Sequence, residues 1–154
     1  MAGYGGGMRT VLWAILCLLC LTSTAWGGES ALGDSEVVIK TIAMESADQS
    51  EYGQYLVASV IVNRARLAGN SLEWVVLRPK QFSCWNSRSL ASAWLGSHFD
   101  KKARKQAEKA LKQAIKRPFL GITHYHTVDV MPYWAVGHKP VAVIGRHVFY
   151  ENIR

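Results

Sequence analysis

The stretch Ser35-Glu36-Val37-Val38-Ile39-Lys40-Thr41-Ile42-Ala43-Met44-Glu45-Ser46 and the run Gly53-Gln54-Tyr55-Leu56-Val57-Ala58-Ser59-Val60-Ile61-Val62-Asn63-Arg64-Ala65-Arg66-Leu67 carry two successive helical patterns. In the first, Val38, Ile42 and Glu45 share a stripe at spacings of four and three, which is α-helical periodicity. In the second, Leu56, Val60, Asn63 and Leu67 share one face with Val57 and Ile61 beside them, and Gly69-Asn70-Ser71 closes the helix. Each stripe contains one polar residue where an apolar one is expected, Glu45 in the first and Asn63 in the second.

Moving outward, residues 74–85 form a mixed segment interrupted by Pro79, which reads as a short extended or helical piece running into a loop. Asp100 to Lys116 reads as a third long helix, with Ala103, Ala107, Ala110, Leu111, Ala114 and Ile115 as its buried stripe. The tail changes character. Residues 120–127 and 141–150 are rich in β-branched and aromatic side chains, and the loop between them contains Pro and Gly, so they read as two antiparallel strands. The expected fold class is α+β, mainly helical, with a small antiparallel β-ribbon near the C-terminus.

With 154 residues the chain is sized for one domain. Ahead of the first helix, Arg9 precedes an uncharged run from Val11 to Leu21. About eleven residues is short of the roughly 20 that a membrane span needs. A basic start, a short apolar run and then Ala25-Trp26-Gly27 is the pattern of a secretory signal. The expected division is a signal peptide over 1–27 and one folded domain over 28–154, with an uncleaved anchor as the alternative. Cys17 and Cys20 would leave with the signal, so Cys84 would remain alone. No intrachain bridge is then available, and an exported domain in the periplasm or at the wall outside the cell must be stable through packing.

The net charge of +7 is concentrated in the third helix, where residues 100–117 hold eight Lys or Arg against Asp100 and Glu108. Such a run is either the solvated face of a helix or a surface that keeps the protein near an anionic polymer, a bacterial wall or, transiently, a membrane. Nucleic acid fits poorly, because no aromatic residues interleave with these lysines. A monomer is expected.

Four features could carry chemistry. Glu45 lies on an apolar stripe, where a charge is costly unless paired or neutralised; a carboxylic acid kept protonated by burial can donate a proton to a leaving oxygen, as in glycoside cleavage. Asn63 could orient Glu45 or a substrate N-acetyl group, or could cap a neighbouring element. In Thr123-His124-Tyr125-His126-Thr127, a strand places His124 and His126 on one face and Tyr125 on the other. Two histidines at this spacing raise zinc, but there is no H-E-x-x-H and no third ligand at a recognisable spacing, so neither metal nor cofactor is expected. Phe82, Trp85, Tyr133 and Trp134 lie in loops or beside Pro, where rings serve either sugar faces or the core.

Taken together, Ile42-Ala43-Met44-Glu45-Ser46, Tyr52-Gly53-Gln54, residues 57–64, Pro79-Lys80-Gln81-Phe82-Ser83-Cys84-Trp85-Asn86, residues 122–126, Pro132-Tyr133-Trp134-Ala135 and residues 144–150 resemble, in order, the SleB-type cell wall hydrolases, the spore cortex-lytic enzyme family of bacteria and their phages. The resemblance runs from about Ser35 to Tyr150. It implies a lysozyme-like or lytic-transglycosylase-like domain that acts on peptidoglycan between N-acetylmuramic acid and N-acetylglucosamine, with Glu45 as catalytic acid. The residues singled out as sugar contacts are Asn63, Gln81, Phe82, Thr123, His124, Tyr125, Tyr133 and Trp134.

The chain departs from the family at one point. Members commonly read E-A-R-G-E where this sequence has Glu45-Ser46-Ala47-Asp48-Gln49, so the second glutamate is missing. That loss favours a lytic transglycosylase, which needs one carboxylate acting as acid and then base, unless Asp48 or Glu51 substitutes. The competing readings are a zinc-dependent wall peptidase or amidase and a non-catalytic wall-binding module. Such an activity serves wall remodelling by a host or lysis by a phage endolysin.

Overall fold

A computed structural model describes residues 35–86 and 101–153. The expected signal segment, with Cys17 and Cys20, lies outside them, as do His98 and Asp100. Helix α1 spans Glu36–Glu45 and α2 spans Glu51–Ala68. The Ser50 hydroxyl caps α2 by accepting from the Gly53 amide at 3.2 Å, which starts the helix two residues before its apolar pattern does. At the other end Gly69 takes φ +62°, and the Asn70 amide reaches back to the Ala65 carbonyl at 3.1 Å, a Schellman closure.

Helix α2 is the central element. A single buried face was expected, but every residue from Gly53 to Ala65 except Tyr55 and Arg64 is buried. A helix that is apolar on nearly all sides must be covered on all sides. One side joins α1, α3 (Leu72–Leu77) and α4 (Lys101–Lys116) in a core of Ile39, Ile42, Ile61, Val76, Phe82 and Leu111. The other side carries Leu56, Val57 and Val60 against Ile122 and Phe149 of the sheet. Leu67, expected on the buried face, is 77% exposed, because it falls in the last turn beyond the reach of either layer.

The mixed segment resolves into α3, a turn and a short 3₁₀ turn over Ser83–Trp85. Helix α4 buries Ala107, Ala110, Leu111 and Ala114, while Ala103 and Ile115 are only half-buried. On its polar side Arg104 pairs with Glu36 and Glu108, Lys109 with Glu51, and Lys112 with Glu108. Much of the basic run is therefore a solvated, partly self-neutralised face, and each such pair adds little stability.

The ribbon has three strands rather than two. Strand β1 (Ile122–Thr127) pairs antiparallel with β3 (His147–Glu151), and β3 with β2 (Ala142–Ile144), in the order β1-β3-β2. Gly145 (φ +55°) and Arg146 split the second expected strand, since a glycine first in a two-residue connection is what a tight hairpin requires. A Cβ at Gly145 would also strike the side chain of Gln49.

Candidate active site

Glu45 is the last residue of α1, which ends as Ser46 leaves helical geometry at φ −137° with its hydroxyl donating to the Ile42 carbonyl. The end of the apolar stripe thus emerges at the surface of the core, and Glu45 is half-buried rather than sealed in. Three donors converge on its carboxylate. Oε1 accepts from the Ser83 hydroxyl at 3.1 Å and the Cys84 amide at 3.2 Å, and Oε2 accepts from the Tyr125 hydroxyl at 3.0 Å. A carboxylate offers about four acceptor positions, so about one remains for a ligand.

Each donor is held by something rigid. Phe82, 2% exposed, plugs the core immediately before Ser83, and Trp85 immediately after Cys84 donates its indole N–H to Thr41 Oγ1 of α1 at 2.9 Å. Tyr125 rises from β1 against the rings of His147 (4.9 Å) and Phe149 (5.6 Å). Burial, and then the charge and hydrogen bond of Glu45, push its phenol well above the usual range, which keeps it a donor. The same two influences, burial first, push the Cys84 thiol up to about 12. Cys84 is thereby held as the thiol rather than the thiolate.

Asp48 and Glu51 are set differently from Glu45. Gln49, in the place of the family's second glutamate, is buried and donates to Asp48 Oδ1 at 2.7 Å. Asp48 is exposed, and Glu51 is held by Lys109 at 2.8 Å. His147 is buried beside Tyr125; burial lowers its pKa, against the opposing pull of Asp48 and Glu45.

The structure divides the sequence candidates into groups. Tyr125 meets Glu45. Gln81, Thr123 and His124 line a neighbouring cavity with Arg64, whose Nε donates to the Thr123 carbonyl at 2.6 Å and whose Nη1 donates to Gln81 Oε1 at 3.2 Å. Two candidates are corrected. Asn63 spends its amide N–H groups on the Phe119 and Ile122 carbonyls, both at 2.8 Å, so it clamps the entry to β1 and does not face a sugar. Phe82 is a core side chain, with the Arg64 guanidinium 5.7 Å above its ring. Tyr133 is 90% exposed, and Trp134 packs on His124, His126 and Tyr150.

As the strand alternation predicts, His124 and His126 share the Trp134 side and Tyr125 takes the other. His126 bonds the Thr127 carbonyl and the Tyr150 hydroxyl, and among the described residues no three His, Cys, Asp or Glu side chains converge as metal ligands would. Sequence reasoning missed Ser83 and Cys84 as donors, and Arg64 and His147. The Cys84 contribution is a main-chain amide, which no side-chain pattern reveals.

His124 yields a pH prediction. Burial, and then Arg64, lower its pKa from 6.5 to about 4. The folded state binds this proton less readily than the unfolded chain does, so the stability it contributes is intact above pH 6.5 and is lost as the pH falls toward 4. Urea midpoints should drop across that window, and His124→Gln should reduce the drop. An unchanged pH profile in the variant would contradict the assignment.

The comparisons bear on this geometry. Residues 48–150 match the Cell Wall Hydrolase family; the match begins at Asp48, so Glu45 lies just outside it. No curated protein matches the chain. The fold is similar to the catalytic domain of the Bacillus cereus SleB protein, at 23% identity over 75% of this chain and 87% of that one, with a TM-score of 0.60. It is similar also to the catalytic domain of the germination-specific lytic transglycosylase SleB from Bacillus anthracis, at 23% identity over 75% and 91%, with a TM-score of 0.59. These likenesses establish the lysozyme-like α+β fold expected from the sequence.

Proposed function

Because the chain belongs to the Cell Wall Hydrolase family, we propose that it cleaves peptidoglycan glycan strands between N-acetylmuramic acid and N-acetylglucosamine as a lytic transglycosylase, with Glu45 as its one catalytic carboxylate. The observation that carries the reading is the setting of Glu45: a half-buried carboxyl held by Ser83, Cys84 and Tyr125, while Asp48 is exposed and Glu51 is tied to α4.

In this mechanism the Glu45 carboxylate, once it has taken up a proton, gives it to the glycosidic oxygen as the bond to the muramic C1 breaks. The resulting carboxylate faces a cationic sugar ring, and its three donors keep it in place without rearrangement. Glu45 then takes the proton from the muramic C6 hydroxyl while that oxygen bonds to C1. The product is a 1,6-anhydromuramic end, and the acid returns to its starting state. No water is consumed, so a second carboxylate has no task. Mass spectrometry of fragments from purified peptidoglycan should find anhydromuramic ends. Reducing ends would mean hydrolysis, and free peptides would mean a different bond is cut.

No described helix is long and apolar enough to cross a membrane. Since the proposed substrate lies outside the cytoplasm, the reading brings with it export by the 1–27 segment and action at the wall as a monomer, by either a host remodelling enzyme or a phage endolysin.

A further inference from the structure

Along the edge of β1 that pairs with no other strand lies a cavity of about 380 Å³ whose lining includes Arg64 and Arg78 and no Asp or Glu. We propose that this cavity binds a free carboxylate of the peptides attached to muramic acid, with Arg64 and Arg78 as its cationic pair. The proposal rests on the glycan-cleavage reading for the identity of the polymer.

Arg64 is fixed by its bonds to the Thr123 carbonyl and Gln81, which use two of the five N–H donors of a guanidinium. Arg78 lies over the Trp74 ring at 4.7 Å. Neither arginine forms a salt bridge with an acid among the described residues. Burial, and to a lesser degree the Arg78 charge, press Arg64 below its usual range. Two cations held together without an acid favour an anion between them, and planar guanidinium matches carboxylate geometry.

The remaining walls indicate what carries that anion. Leu67 and Trp74 are exposed apolar side chains on the rim, beside Ala68 and Val75. Neutral sugar hydroxyls would leave both guanidinium charges uncompensated, whereas a short peptide offers both a carboxylate and methyl-bearing side chains. The position also fits. The charge of Arg64, which lines the cavity, is felt at the Tyr125 phenol, and Gln81 of the cavity stands two residues before Ser83; both Tyr125 and Ser83 donate to Glu45. A peptide hanging from the muramic acid at the scissile bond starts next to this cavity.

The test uses the Glu45→Gln protein, so that binding is read apart from cleavage, and peptidoglycan stripped of phosphate polymers before and after carbodiimide amidation of its carboxylates. Co-sedimentation should show about tenfold weaker binding to the amidated wall, the loss expected when a charge-assisted pair is removed. Adding Arg78→Gln should abolish that difference, whereas adding Lys105→Gln, an equal loss of charge on α4, should keep it. Equal binding of the Glu45→Gln protein to both walls would overturn the proposal, as would a preserved tenfold preference in the Arg78→Gln variant. Failure of wild-type protein to release glycan fragments would instead overturn the cleavage reading, since the charge dependence is measured without it.

Discussion

Glu45→Gln is expected to lower the release of glycan fragments from peptidoglycan by at least about 10²-fold, the low end of a general acid's contribution, while the protein stays folded and still sediments with the wall. The substitution keeps the shape and removes the titrating proton. Its carbonyl oxygen can still accept from Ser83 and Cys84, and its new N–H can donate to the Tyr125 oxygen, because a phenol serves as donor or acceptor. Neutral hydrogen bonds then replace charge-assisted ones, so the unfolding free energy should fall by about 1 kcal/mol. The sequence alone argues for level or rising stability, since it places Glu45 in an apolar setting; the half-exposed, three-donor environment reverses that sign. Asp48→Asn and Glu51→Gln are the controls, and each should cost little activity. If either matches the loss at Glu45, two carboxylates share the reaction. Wild-type rates in Glu45→Gln would remove Glu45 from the chemistry.

The helices were legible because their stripes are long and regular, and the end of α1 at Glu45 could be read to within a residue. What escaped was set by tertiary context. Periodicity finds one apolar face, but α2 is buried by helices on one side and a sheet on the other, so its second covered face and the exposure of Leu67 have no local signature. The split between β2 and β3 rests on Gly145, whose role becomes visible only once Gln49 is packed against it. At the site, a polar residue on an apolar stripe marks two different things. Glu45 emerges at the end of its helix and meets a donor set, whereas Asn63 stays inside and satisfies two main-chain carbonyls of the entry to β1. Residue type cannot separate these, because both solve the same problem of a polar group near the core.

Phe82 is the sharpest test of that limit, because a ring beside the turn that holds Glu45 suits a sugar and a core equally well. The structure puts it in the core, so Phe82→Ala should lower the unfolding free energy by about 3–5 kcal/mol, a large part of the roughly 5–15 kcal/mol a domain of this size holds. The loss should reach the site as well. Phe82 immediately precedes Ser83 and Cys84, so the cavity left behind frees the turn that holds Glu45 Oε1, and kcat should fall along with the urea midpoint. Phe82→Leu separates the two roles even if the alanine variant fails to fold. A branched aliphatic fills much of the same space at a cost of less than about 1.5 kcal/mol, but it offers no flat face to a sugar. KM near the wild-type value in Phe82→Leu is the expected result. A KM raised tenfold with an unchanged urea midpoint would return the ring to the substrate and take it out of the core.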